Sequence, residues 1–338
     1  MNKIVQYYLK YKNNICKLEQ GGVKLSSLRC AFDGVFDYLV FGSTITDYFE
    51  LSFWNKTFRQ KAQYATWRLH KRFIYEVDDN STILRLSDKH NMYKSLQEFV
   101  RREQLYSKEA SFEDFVAFCD RHDFFFTKPC GNSCGEGIEK ISTKTEDLKK
   151  LYQRLNQEEI VLDSPIIQHH IMSELNQSSV NTLRIFTFRN KNCIYFTGCA
   201  LRIGTTGFID NYSAGGLVCS VSLRTGKTKE KAENCLGERF IEHPVSHVKL
   251  EGYQVPRWDE VLRYVFEMAQ MYDLNYVAWD IAVEEEGVDL VEANPAGMIN
   301  VIQIAGGGPK KEIILKLENE WKKRSEKPVD YYRMIICE

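Results

Sequence analysis

Three oxygen-bearing side chains gather near the C-terminal end of the chain. Asp280 lies in Val277-Ala278-Trp279-Asp280-Ile281-Ala282-Val283, and Glu292 and Asn294 lie in Leu290-Val291-Glu292-Ala293-Asn294-Pro295. An acid inside an apolar run is costly unless a cation or a hydrogen-bond donor neutralises it. The turn Glu284-Glu285-Glu286-Gly287 between the two runs predicts a hairpin. Asp280 and Glu292 can then face each other, with Asn294 one pleat further on the face of Glu292. Two carboxylates and an amide oxygen are hard ligands suited to Mg²⁺, which also takes phosphate oxygens and water. Any one of these residues alone is as readily a turn cap; the three together argue for a metal.

A second group suits phosphate. Lys128 ends the apolar run Phe124-Phe125-Phe126-Thr127-Lys128-Pro129, directly before the loop Cys130-Gly131-Asn132-Ser133-Cys134-Gly135-Glu136-Gly137. A lysine there is a point charge for a phosphate, and the loop's backbone N–H groups can wrap the rest. The order strand, glycine loop, strand is a hairpin, not the strand–loop–helix of a Walker or dinucleotide fingerprint. Arg184 and Arg202 sit in later apolar runs, where each is expected to point into a cleft or a buried pair. Taken together, these residues suggest a triphosphate site. His243 is a further substrate-binding candidate and His247 a weaker one, although a loop histidine is more often solvated or capped. Cys130 and Cys134 lie in the glycine loop, but no histidine partner is near, so no nucleophilic role is expected.

These residues need elements to position them. Residues 1–85 read as a helical region. Its segment LSFWNKTFRQKAQYATWRLHKRFI, residues 51–74, mixes aromatics with six basic residues and holds no acid. The commoner reading is a helix with one solvated basic face. The sharper one is a docking surface for a membrane or an acidic partner. Ser87 is expected to cap a helix carrying Met92, Leu96 and Phe99, and Ser111 to start another. Helices are also predicted over 144–156, 258–272 and 310–323. Strands are predicted over 124–129, 138–141, 165–168, 183–189, 193–203, 216–222, 277–283 and 288–292. The layout is α+β with a mostly antiparallel sheet.

Composition narrows the function classes. The 338 residues are 43% hydrophobic and 27% charged, which is globular. Basic and acidic residues number 45 and 46, so bulk electrostatic binding to nucleic acid is not implied. No apolar run approaches the roughly 18 residues of a membrane span, and the first residues lack the apolar core of a secretory signal. The ten cysteines form no CxxC pair and fit best as reduced thiols in a cytoplasmic protein.

The ordered series Asp88-Lys89, Thr127-Lys128-Pro129 with its glycine loop, Ile167-Gln168-His169-His170-Ile171, Leu183-Arg184-Ile185, Leu201-Arg202, Asn211 through Gly216, Trp279-Asp280 and Glu292-Ala293-Asn294 resembles the ATP-grasp superfamily. The resemblance covers roughly residues 85 to 305. The phrases Ser179-Val180-Asn181-Thr182-Leu183-Arg184-Ile185 and Asp210-Asn211-Tyr212-Ser213-Ala214-Gly215-Gly216 look most like its sugar-transfer-associated branch. That branch is similar to the ribosomal-protein glutamate ligases and, further off, to D-alanine–D-alanine ligase.

The resemblance implies an α+β ATP-grasp fold, with two subdomains clasping ATP behind a mainly helical N-terminal region. The implied organisation is residues 1–85 helical, 86–172 the subdomain with the glycine flap, 173–325 the subdomain with the Mg²⁺ site, and 326–338 a tail. Lys89 and Lys128 match the lysines that reach the ATP phosphates, and Gly131, Ser133, Gly135 and Gly137 belong to the flap. Gln168, His169, His170 and Ile171 match the hinge whose backbone pairs with adenine; His169 stands where an acid is common. Glu174 is the candidate for the acid that holds the ribose hydroxyls. Arg202 and Asn211 match residues near the γ-phosphate and acyl phosphate, and Arg184 an arginine of the substrate cleft. Asp280, Glu292 and Asn294 match the Mg²⁺ ligands. Asn181, Ser213, Gly215 and Gly216 are candidate substrate contacts. The ending Asn294-Pro295-Ala296-Gly297 departs from the family's usual pattern.

The implied activity is an ATP- and Mg²⁺-dependent carboxylate–amine ligase working through an acyl phosphate, in polysaccharide or sugar-conjugate biosynthesis. Its partners are a small-molecule carboxylate, with sugar acids among the candidates, and an amine. Contact with a membrane or a sugar-transfer enzyme through residues 51–74 stays open. So do two alternatives: a small-molecule kinase on the same scaffold, and a nucleotide-binding docking protein.

Overall fold

The computed structural model describes residues 3–20, 22–132, 135–144, 147–205, 207, 210, 212, 215–235, 237–323 and 331–337. The N-terminal part is helical: α1 (Lys3–Gln20), α2 (Ser27–Phe41), α3 (Ile45–Glu50), α4 (Phe58–Lys61), α5 (Trp67–Val77), α6 (Asn80–Ser87) and α7 (Lys89–Ser95). A four-stranded sheet follows, from β1 (Gln104–Tyr106), β2 (Phe124–Pro129), β3 (Glu139–Ser142) and β4 (Ile160–Asp163), with α8 (Phe112–Arg121) and α9 (Leu148–Leu155) between its strands. Its order is β1-β4-β2-β3, antiparallel throughout.

After α10 (His170–Leu175) come β5 (Thr182–Asn190), β6 (Cys193–Ile203), β7 (Leu217–Val221), β8 (Ala232–Glu233) and β9 (Arg239–Phe240). Then follow α11 (Trp258–Met271), β10 (Tyr276–Glu284), β11 (Gly287–Asn294), α12 (Lys311–Lys322) and β12 (Arg333–Ile336). These strands form an eight-stranded sheet of order β11-β10-β5-β6-β7-β8-β9, with β12 parallel to β6. The tail expected at 326–338 therefore carries a sheet strand. Among the described residues no helix is long and apolar enough to cross a membrane, and the described cysteines are free thiols.

The described residues form two cores. The small one packs Phe115, Phe118 and Phe125 with Ile141, Leu151 and Leu162 behind the four-stranded sheet. The large one is continuous from Tyr11 on α1 through Phe73 on α5 to Ile185, Trp279 and Leu317. The helical region therefore shares its core with the large sheet rather than forming one of its own.

Local chemistry explains where the expected elements shift. The segment 51–74 is not one helix. Thr57 caps α4 through a capping box with Gln60, and Thr66 occupies the N-cap position of α5, so two start signals break the run. The helix expected from Ser87 starts at Lys89 instead, because Asp88 accepts the Asn91 amide; Ser87 ends the preceding helix. Ser111 does cap α8, with Asp114 completing the box. The strand expected at 165–168 lies earlier, at Ile160–Asp163, where all four residues are buried between β1 and β2. Pro165 has no N–H for a central ladder.

Candidate functional site

Strand register builds one half of the site. On β10, Asp280 pairs with Glu292 of β11 on one side and Arg184 of β5 on the other. Arg202 of β6 pairs with Thr182 of β5. The period of two puts these side chains, with Asn294, on a single face of the large sheet. Arg184 donates to both Asp280 oxygens, Nε at 2.7 Å and Nη2 at 2.5 Å. Arg202 Nη2 lies 3.1 Å from Asp280 Oδ2, and Asn294 Nδ2 donates to the same oxygen at 3.3 Å. Burial alone would raise the Asp280 pKa, but the two guanidinium charges hold it below the usual carboxylate range.

Arg202 is itself held in place. Its guanidinium donates to Thr182 Oγ1 at 2.9 and 2.7 Å, and Nε lies 3.6 Å from Asp210 Oδ2. Asp210 also accepts from the Thr182 amide at 3.2 Å. Sequence reading has Asp210 only within the branch phrase and gives it no role as an anchor.

The small sheet supplies the other half. Phe125 points back onto α8, in edge contact with Phe118 at 5.6 Å. Alternation then turns Phe124, Phe126 and Lys128 to the opposite face. Lys128 Nζ donates to Tyr93 Oη at 3.1 Å and pairs with Asp163, which Arg102 also meets at 3.1 Å. Arg102 continues to Asp289 at 2.8 Å. Burial presses the Lys128 pKa down, but the Asp163 charge outweighs it and the amine stays protonated. Asp163 is held low by Arg102 and Lys128 against its own burial. Tyr93, Arg102, Asp163 and Asp289 form a buried positioning network that sequence reading also missed. Asp163 ending the apolar run Ile160–Asp163 was its one local signal.

The two halves meet at Lys89. Its ammonium donates to the Asn132 carbonyl of the glycine loop and lies 3.3 Å from Glu292 Oε1. Gly135 and Gly137 both have φ of 77°, which suits glycine. A Cβ on Gly137 would also meet Pro129 Cγ at 3.0 Å. Gly131 faces open space. Cys130 is buried and its thiol pKa is pushed up to about 11 by burial, which makes it a poor nucleophile.

Beside the small sheet lies a cleft of about 880 Å³, lined by Phe124, Phe126 and Lys140, by Pro165 to Gln168, and by Ser178 to Val180; Lys89, Lys128 and Asp280 do not line it. Its walls mix aromatic, aliphatic and polar groups. The hinge expectation needs correcting here. The His169 amide donates to Val283 O at 2.7 Å, the His170 amide to Glu285 Oε1 at 2.6 Å, and the Ile171 amide to His169 Nδ1 at 3.2 Å. Tyr253 donates to the Ile171 carbonyl at 2.6 Å. These groups are spoken for, and the run 165–168, not 169–171, borders the cleft. The His169 and His170 rings stack at 4.5 Å beside Glu285. Their ligand atoms lie within 4.8 Å of one another, but two imidazoles are a poor donor set for Mg²⁺.

Other expected residues fall elsewhere. The Gln168 side chain ties the Asn176 and Ser179 carbonyls at 2.9 Å each and accepts from Asn181. Asn181 is fully buried, its Nδ2 donating to Gln168, Met172 and Asn176, while its Oδ1 has no hydrogen-bond partner among the described residues. His243 is equally buried: Nε2 meets Gly204 O at 2.9 Å and Nδ1 accepts from the Ser246 amide at 3.1 Å. Burial lowers its pKa, and its role is structural. Glu174 is exposed on α10, while Ser173 beside it lines the cleft; one helical step turns Glu174 away. Gly215 and Gly216 lie just before β7, Gly215 with φ of 95° and its carbonyl accepting from Thr205 Oγ1 at 3.1 Å. Ser133, Asn211 and Ser213 lie outside the described residues.

The donor set at Asp280, Glu292 and Asn294 fits a hard divalent cation. All three carry oxygen on one face of one hairpin; both Asp280 oxygens are held by Arg184 here, so a cation would share that carboxylate with the guanidinium.

Comparison with known proteins gives the setting. The Chryseobacterium gregarium RiPP-associated ATP-grasp ligase, in complex with ADP and a leader and core peptide, is similar with TM-score 0.46 and 12% identity over 75% of this chain and 65% of that one. The macrocyclase MdnC, bound with precursor peptide MdnA from Microcystis aeruginosa MRC, gives TM-score 0.42 and 13% identity over 72% and 64%. N5-carboxyaminoimidazole synthetase from Staphylococcus aureus, complexed with ADP, gives 0.41 and 12% over 64% and 46%. The chain thus spans less than two thirds of the length of each. No curated protein matches the sequence. The sugar-transfer associated ATP-grasp family matches over residues 68–317, well over half of the chain, and the protein belongs to that family.

Proposed function

We propose that the protein is an ATP- and Mg²⁺-dependent carboxylate–amine ligase that forms an acyl phosphate, with a sugar acid as the carboxylate class suggested by the family's association. The observation that carries this reading is the register of Asp280 opposite Glu292, with Asn294 a pleat further on and Arg184 and Arg202 beside them. In this reading residues 86–172 and 173–325 are the two clasping subdomains. Phe124 and Phe126 take the adenine, and Lys89 and Lys128 take phosphate oxygens.

The reaction divides into two displacements. A carboxylate oxygen attacks the γ-phosphorus, the bond to the β–γ bridging oxygen breaks, and ADP leaves. The amine nitrogen then attacks the acyl carbon, phosphate departs with the bonding pair, and the nitrogen loses a proton. A cation held by Asp280, Glu292 and Asn294 would neutralise charge on the phosphates. Lys128 and Arg202 add fixed positive charge where the γ-phosphoryl group transfers, and no covalent enzyme intermediate is needed. Arg184, held on Asp280, keeps that carboxylate ionised and aimed.

Hydroxylamine trapping tests the reading. The full chain is incubated with Mg-ATP, hydroxylamine and pooled sugar acids and amino acids, following ADP and hydroxamate together. Hydroxamate that needs ATP supports the ligase and identifies the acid. A stable phosphorylated product without amine dependence makes the protein a kinase, and ATP binding without turnover makes it a docking protein.

A further inference from the structure

Helix α2 is built inside out. Leu28, Phe32, Val35 and Leu39 recur at i, i+4, i+7 and i+11, which is one face of a helix, and Phe36 flanks them. That face is turned to solvent: Leu28 is 66% exposed, Phe32 76% and Leu39 67%. The opposite face holds Cys30, Gly34 and Asp37, all buried. The orientation is locked from within. A Cβ on Gly34 would lie 1.7 Å from Tyr11 Oη, so only glycine lets α1 come this close. The Asp37 carboxylate takes Lys61 Nζ at 2.6 Å. Rolling the helix to bury its apolar stripe would break both contacts. Proteins rarely leave such a contiguous stripe without a use for it.

The surroundings say what the stripe meets. Phe58 extends it, packing on Phe36 at 6.5 Å and Phe41 at 5.0 Å. Arg59 follows Phe58 in the chain and is exposed. The Arg68 guanidinium lies 5.2 Å from the Tyr38 ring and donates to the Tyr38 carbonyl at 2.6 Å. Lys71 lies over Trp67 at 4.8 Å. Residues 22–75 hold eight basic and four acidic side chains, although the whole chain has net charge -1. The acids are spent internally. Asp37 and Asp47 are buried, Glu50 accepts from Asn300 at 2.9 Å, and Asp33 pairs with Arg29 at 3.7 Å. Lys56 and Lys61 turn inward, onto the Leu51 carbonyl and Asp37. What remains outside is an apolar stripe edged by arginines, a lysine and amphipathic rings, with its one outward acid already paired.

We propose that this face seats the protein on the surface of an anionic lipid bilayer, with the α2 stripe in the acyl boundary and Arg59, Arg68 and Lys71 among the headgroups. The chemistry is that of an interfacial helix: apolar side chains give depth, tryptophan and tyrosine sit at headgroup level, and basic residues meet the lipid charge. A protein partner or a second copy would not require so uniform a positive rim.

Sedimentation of the full chain with vesicles tests this. Vesicles of phosphatidylcholine with phosphatidylglycerol should carry the protein down, and phosphatidylcholine alone should carry far less. Binding should fade toward ~1 M salt, where the Debye length is about 3 Å. Arg59→Gln and Lys71→Gln should each weaken it about fivefold. The Phe32→Glu, Leu39→Glu double variant should lose it, with an unchanged circular dichroism spectrum because both side chains start exposed. Should that variant misfold, the glutamine variants decide alone. No sedimentation, equal binding to uncharged vesicles, or binding indifferent to Arg59→Gln and Lys71→Gln would each overturn the proposal. A wild-type dimer that Phe32→Glu dissociates would reassign the face to a second copy.

Discussion

Arg184 closes on both oxygens of Asp280 at 2.7 and 2.5 Å across the β5–β10 ladder. The pair is buried, Asp280 being 2% exposed, and Arg202 makes it a triad. Removing one member of such a group leaves its partners charged and out of water, at a cost of about 3–5 kcal/mol. Asp280→Asn is therefore expected to lose stability and activity together, and activity loss in that variant alone says little about a metal. Glu292 separates the two effects. Its side chain is 30% exposed and pairs with Lys89 at 3.3 Å. Glu292→Gln should keep the denaturant midpoint close to wild type while turnover falls roughly 10²–10³-fold, as for removal of one electrostatic partner. A Glu292→Gln protein with full ATP-dependent turnover would remove the metal assignment.

Lys128 and Arg102 share Asp163 but should fail differently. Lys128→Met leaves Asp163 still paired with Arg102 at 3.1 Å, so folding survives. The expected loss is in nucleotide binding and rate. Arg102→Met leaves Asp163 to Lys128 but takes the guanidinium from buried Asp289, and should cost about 3–5 kcal/mol in unfolding free energy. Chemical denaturation of both variants, alongside nucleotide titration, checks the split. Equal stability loss in the two would mean that Lys128 is a structural member of the network.

Phe126 offers a test of the cleft itself. It shares a strand face with Lys128 and lines the space against Pro165 to Gln168. Base stacking on an aromatic ring is lost on truncation, and Phe126→Ala should raise the KM for ATP roughly tenfold. The Lys140 ammonium lies 3.9 Å from the neighbouring Phe124 ring, so Phe124→Ala should act in the same direction. Unchanged KM in both variants would move the nucleotide out of this cleft.

What the sequence made legible follows the range of the interaction. The span of β6, the Ser111 cap and the β10–β11 hairpin depend on periodicity and neighbours, and they stand at the expected places. The order of lysine, arginines and acids carried the family. Burial of a polar group is not local. Asn181 and His243 stand as substrate candidates in the sequence, yet both are fully buried, and His243 bonds a carbonyl 39 residues away. The network from Lys128 through Asp163 to Asp289 joins three strands that no spacing links. The displaced strand near residue 165 was a contest between two apolar runs, settled by which one has every N–H free to pair. The outward stripe of α2 was invisible for the same reason: Gly34 against Tyr11 decides it, and they sit on different helices.

Glu50 links this buried chemistry to pH. Its carboxylate accepts from Asn300 at 2.9 Å, which also bonds Asp47 at 3.0 Å. Burial pushes the Glu50 pKa up to about 7, with the Asp47 charge adding to the rise. In the unfolded chain a glutamate titrates near 4.3. Between those values the folded protein holds a proton that the unfolded chain releases, so stability is full below about 4.3 and declines as pH rises through about 7. Glu50→Gln keeps an acceptor for Asn300 and has no charge to bury. The variant should match wild type in acid and exceed it increasingly from pH 5 to 8, as read from urea midpoints across that range. Parallel pH profiles for the two proteins would mean that Glu50 is already ionised in the fold, held by groups other than Asn300.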